Sequence, residues 1–288
     1  MCYNDNGDDM EKIKNIIKDN NNIPLELKSK IFECSYYILN KYQGAYDNLC
    51  KNLSTIKIYY LQNENKDLII NFDKISLYNS ISNTLYLPSD ISQNYHALLT
   101  YELISIASTS LDKQGFVNTN SLYGCSLNKG MNELLTRKVL KKEFPYNTSK
   151  NDINNVILFS NIVPMPILTD IYFNKNFIDL MKEYYNRSGS NNLITILENM
   201  DLDYNKRVKT NSKDSKFKDK YITLLVEDVS CVNNETENEV DERINNICSF
   251  IRSQYNILGT PQNIKQAIEK SINKINDDFI VKKGKIHE

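Results

Sequence analysis

Residues 95–109 read Tyr-His-Ala-Leu-Leu-Thr-Tyr-Glu-Leu-Ile-Ser-Ile-Ala-Ser-Thr. The run is nearly continuous in apolar residues and too long for an ordinary strand, which predicts a helix buried on all sides. Such a helix needs cover from several layers, so its neighbours decide the fold. Just upstream, Thr84 to Leu87 (TLYL) alternates like a strand, Pro88 ends it, and Ser89-Asp90 supplies a turn. Thr55 to Leu61 (TIKIYYL) and Asp67 to Phe72 (DLIINF) read the same way, and the three are expected to form one small sheet. Further upstream, 9–19 and 25–42 carry apolar residues at helical spacing, with Leu27, Ile31, Tyr37 and Ile38 near one stripe of the second.

Downstream the pattern stays helical. Residues 110–126 hold Gly115, Gly124 and several Asn and Ser, and read as a loop. A helix is expected over 127–144, stopped by Pro145. Another covers 151–173, kinked or broken at Pro164 and Pro166. Short helices follow at 177–186 and 192–200, and three more at 217–232, 238–255 and 261–277. Asn205 to Lys220 is rich in Lys, Asn, Asp and Ser and reads as a linker. The expected class is α+β, mostly helical. The expected organisation is N-terminal helices over 1–52, a core over 53–204, a linker over 205–220 and a C-terminal helical region over 221–288.

Composition narrows the function. Lys plus Arg number 35 and Asp plus Glu 36, so no charge excess calls for nucleic acid or an anionic membrane as partner. No apolar run approaches the roughly 20 residues of a membrane span. Met1 to Asp9 is polar and acidic, unlike a signal peptide, so a cytoplasmic location is expected. The six cysteines, at 2, 34, 50, 125, 231 and 248, form no C-x-x-C pair and are expected to be reduced thiols. The only histidines are His96 and His287. His287 sits next to the C-terminus, and His96, near a helix start, reads as a surface or capping residue. One imidazole cannot build a His₂Glu zinc site. Neither a G-x-S-x-G elbow nor a phosphate-binding glycine loop is present.

One constellation remains. The run Leu98-Leu99-Thr100-Tyr101-Glu102-Leu103-Ile104-Ser105-Ile106-Ala107-Ser108 resembles the active helix of zinc metallopeptidases, L-x-H-E-[LI]-x-H-x-x-S. The run Gly130-Met131-Asn132-Glu133 resembles the start of the second helix in the glutamate-ligand branch of that superfamily. Leu85-Tyr86-Leu87-Pro88 is similar to the edge strand beside the cleft of those enzymes, and Ile171 to Phe177 resembles a later helix start in related bacterial proteins. The resemblance spans roughly 54–200. It implies a zincin-like helix pair, 95–109 beside 127–144, next to the sheet. It puts Tyr101 and Ser105 where the zinc-binding histidines would stand, Glu102 where the general base would stand, and Glu133 at the third ligand.

The departures decide the chemistry. A tyrosine phenol, with a pKa near 10, and a neutral serine hydroxyl do not replace imidazole on zinc at pH 7. The expectation is therefore a degenerate site at Tyr101, Glu102, Ser105 and Glu133, with no catalytic residue, no metal and no cofactor. Without a dication the two carboxylates need other partners, and Tyr101, Ser105 and Arg137, one turn after Glu133, are the expected ones. Tyr101, Glu102, Glu133 and Arg137 would then form a binding site for a protein or peptide. Two alternatives remain open: a metal-dependent hydrolase using Glu102 with an unusual metal site, and a helical interaction protein whose resemblance is chance.

Overall fold

The computed structural model describes residues 6–61, 77–88, 95–118, 123–141, 150–210, 216–230, 237–254 and 261–286. Twelve helices, a three-stranded mixed sheet and a two-stranded hairpin make up these residues, which is the mostly helical α+β class that the periodicity predicts. The chain divides into two compact units. The first comprises 1–120, 132–148 and 172–175, and the second 121–131, 149–171 and 176–288.

In the first unit, α1 (Asn6–Asp19), α2 (Leu25–Lys41) and α3 (Tyr46–Thr55) precede the sheet. Strand β1 is Lys57–Leu61, β2 is Leu77–Asn79 and β3 is Thr84–Pro88. Helix α4 covers Tyr95–Ala107, and ten of its thirteen residues are buried, as its unbroken apolar run demands. Its cover comes from α2, α3 and β2. The N-terminal helices are therefore part of the same unit as the sheet, where the sequence suggests a separate region over 1–52. Side-chain amides join the layers. Asn20 Nδ2 donates to the Leu53 and Ile56 carbonyls at 2.9 and 3.1 Å. Asn52 Nδ2 donates to the Ile106 and Thr109 carbonyls at 2.8 and 2.9 Å, satisfying acceptors that the end of α4 leaves open.

The sheet order is β1-β3-β2, with β1 parallel and β2 antiparallel to β3. Leu85 and Leu87 point into the core, and Tyr86 stands on the other face, stacked with Tyr59 at 6.1 Å between ring centroids. The stretch 110–126, expected as loop, carries a small hairpin of β4 (Lys113–Gln114) and β5 (Val117–Asn118). Gly115, at φ 61°, opens its two-residue turn, and Phe116 anchors it by burying against Tyr172 at 5.3 Å. The expected strand 67–72 lies outside the described residues.

Helix α5 (Cys125–Leu140) and α7 (Met165–Asn174) contribute residues to both units. The second unit also holds α6 (Lys150–Phe159), α8 (Phe177–Ser188), α9 (Leu193–Thr210), α10 (Lys216–Val229), α11 (Glu237–Gln254) and α12 (Gln262–Ile286). The break expected at Pro164 falls between α6 and α7. Asn176 and Asp179 form a capping box at the start of α8, and Gly189, at φ 67°, ends it. The stretch expected as a linker, 205–220, is largely helical. Helix α9 runs to Thr210 and α10 starts at Lys216, with only 211–215 outside the described residues. The reason is anchoring: α9 and α10 pack on each other, Arg207 pairs with two buried aspartates, and Lys218 and Tyr221 are buried.

Candidate functional site

All five residues singled out from sequence lie in the first unit. Tyr101, Glu102 and Ser105 are on α4, and Glu133 and Arg137 on α5. Glu102 is buried at 4 % exposure and Glu133 at 0 %, while Tyr101 is half-buried. Two buried carboxylates in one apolar unit are unusual, and each demands charged or hydrogen-bonded company.

The companies differ. Glu133 Oε1 accepts from Arg137 Nη2 at 2.6 Å, along one turn of α5, which is the contact expected of Arg137. The guanidinium side chain is 27 % exposed, so it reaches from solvent to a fully buried carboxylate. Glu102 lies near two phenols of other elements, Tyr78 of β2 and Tyr172 of α7. Burial pushes Tyr78 up to about 12 and raises Tyr172 as well, and the Glu102 charge adds to both shifts. Ser105 Oγ accepts from Gln114 Nε2 of the hairpin at 2.6 Å. The Ser105 carbonyl accepts from the Ser108 and Thr109 hydroxyls at 2.8 and 2.9 Å. The Ser105 hydroxyl is thus fixed toward the hairpin that closes the C-terminal end of α4.

One implication of the resemblance needs correction. The edge-strand motif Leu85-Tyr86-Leu87-Pro88 lies on β3, which is the central strand with a neighbour on each side. Strand β1 pairs along all of it and β2 along Thr84–Tyr86, so the motif is not the free edge to which a peptide adds as a strand. Residues 132–140 of α5, Glu133 and Arg137 among them, belong to the same unit as α4. Among the described residues the elements lying close along α4 are α2, α3 and β2.

Gly130, part of the resemblance, has a role of its own in the second unit. A Cβ there would stand 2.2 Å from the backbone carbonyl oxygen of Asp152 on α6, so only glycine permits this crossing of the first turns of α5 with α6. Likewise Ile171, Tyr172 and Phe173 are core residues at the end of α7, and the helix start that follows them is the Asn176 cap.

Sequence reasoning missed three features of the first unit. Lys113 is buried, with Nζ donating to the Tyr172 carbonyl at 3.0 Å. Gln114 is the partner of Ser105. The third is a surface cluster: Glu33 of α2 accepts from Tyr37 OH at 3.2 Å and Tyr95 OH at 3.1 Å, and His96 Nε2 is 3.0 Å from its Oε1. The spacing Lys30-Glu33-Tyr37 on α2 is a helical one and was visible in the sequence, but its partners on α4 were not. His96 is half-exposed as expected, and His287 lies outside the described residues. Among the described residues no group of three or more His, Cys, Asp or Glu is placed to hold a metal ion. Comparison with protein-family models, with curated proteins and with solved structures finds no match to this chain.

Proposed function

We propose that the chain is a non-catalytic protein, metallopeptidase-like only in the runs 98–108 and 130–133, that serves as a binding or scaffold domain for a protein or peptide partner. The observation that carries the reading is the Glu133–Arg137 pair. At the position where a peptidase of that type would offer a carboxylate to a dication, a guanidinium one turn away neutralises it. The Ser105–Gln114 hydrogen bond supports the same reading, because it commits a ligand position to holding a hairpin. Tyr101 and Ser105 bring no imidazole, so a water activated by zinc, with its pKa lowered to about 7, has nothing to form on.

Metal analysis of the dialysed full-length chain tests this. The expected result is zinc far below one equivalent together with no cleavage of a mixed peptide library. Zinc near one equivalent that disappears in Glu133→Ala would favour the hydrolase reading, with Glu102 as its base.

A further inference from the structure

A buried polar cluster in the second unit plays no part in the site above. Asp152 and Asn155 come from α6, Asp203 and Arg207 from α9 and Tyr221 from α10. Asp152, Asn155 and Tyr221 are 0 % exposed and Asp203 is 1 % exposed. One edge of the Arg207 guanidinium holds both carboxylates: Nη2 donates to Asp152 Oδ1 at 2.9 Å and Nε to Asp203 Oδ2 at 2.8 Å. Ser126 Oγ also donates to Asp152 Oδ1, at 2.9 Å. Tyr221 OH donates to Asn155 Oδ1 at 3.3 Å and lies within the electrostatic reach of Asp152, Asp203 and Arg207. Asn155, Asp152, Asp203 and Arg207 thus lie around one phenol.

Three atoms of this set have no hydrogen-bond partner: Asp152 Oδ2, Asp203 Oδ1 and Asn155 Nδ2. A buried polar atom left so is costly, and three in one cluster are not an accident of packing. Their inventory is two acceptors and one donor. The complementary occupant must donate two hydrogen bonds and accept one. Water does this. An ammonium ion has no acceptor to offer the Asn155 amide, and a metal cation would face its N–H. We propose that this cluster is a binding site for a single internal water molecule that bridges α6 and α9 beneath Tyr221.

Two measurements on the full chain decide it. A high-resolution crystal structure should show one density peak at hydrogen-bond distance, about 2.6–3.2 Å, from the three atoms. The melting midpoint should be the same in sodium, potassium, ammonium and choline chloride at equal ionic strength, because choline is too large to enter. No peak at the cluster would overturn the proposal. So would a peak accompanied by a midpoint that rises in a small cation relative to choline and loses that rise in Asp203→Asn, which would identify a cation site.

Discussion

The wholly buried Glu133 carboxylate is held by the Arg137 guanidinium at 2.6 Å. Truncating Arg137 leaves that charge without its cation, so Arg137→Ala should lower stability by about 1.5–3 kcal/mol, measured by urea unfolding. A loss under about 0.5 kcal/mol would place the pair with ordinary surface ion pairs. The Glu33 carboxyl is held below its usual range by His96 above all, helped by the Tyr95 and Tyr37 hydroxyls. A depressed carboxyl stabilises the fold above its unfolded pKa, and the contribution disappears as pH falls through the folded value. Stability should therefore decline below about pH 4.3, and Glu33→Gln should flatten that limb. An unchanged limb in the mutant would remove Glu33 from the account. Tyr101 and Ser105 are one turn apart on α4, so two histidines there could share an ion. The sequence alone suggests that this double substitution restores zinc binding. With Arg137 already holding the Glu133 carboxylate, the expected result is now no saturable binding at micromolar zinc in the folded Tyr101→His, Ser105→His variant. Tight one-to-one binding by calorimetry would show that Glu133 does reach the pair.

At the level of elements, the sequence foretold most helices because each either carries a 3.6-residue stripe or, like α4, is apolar throughout. The breaks were legible too, since Pro164 and the Asn176 cap act locally. What escaped was set by distant partners. The β4–β5 hairpin is too short to show alternation and is fixed by Phe116 on Tyr172. The polar run over 205–220 resembles a linker until Asp152 gives Arg207 a reason to be buried. The candidate site was legible only in part: Arg137 follows from helical spacing, whereas Gln114 and Tyr78 come from other elements. Gly130 separates two readings of one letter. In Gly130→Ala the added methyl meets the Asp152 backbone, which cannot swing away as a side chain can. Overpacking of this kind costs about 1–3 kcal/mol, against roughly 1 kcal/mol that alanine gains inside a helix. A lower melting temperature is expected, and a higher one would mean that α5 and α6 separate freely.

For the whole molecule, the two units are interleaved along the chain, which passes between them at 120/121, 131/132, 148/149, 171/172 and 175/176. No single cut separates them. A fragment ending at residue 204, the boundary that composition suggests, lacks α10, whose Tyr221, Ile222, Leu225 and Val226 are wholly buried. Expressed alone, it should show helical circular dichroism without a cooperative melt. A sharp two-state transition in that fragment would mean that 1–204 is self-sufficient. Long-range closure also governs the start of α5. Its Gly124, Cys125 and Ser126 amides donate to the Asp201 carboxylate, at 2.7, 3.2 and 2.7 Å, across 75 to 77 residues. On a ribosome adding about 5–20 residues per second, Ser126 is made some 4–15 s before the aspartate that caps it. During synthesis the first turn of α5 therefore waits with its N–H groups open, and this helix is completed by a segment translated long after it.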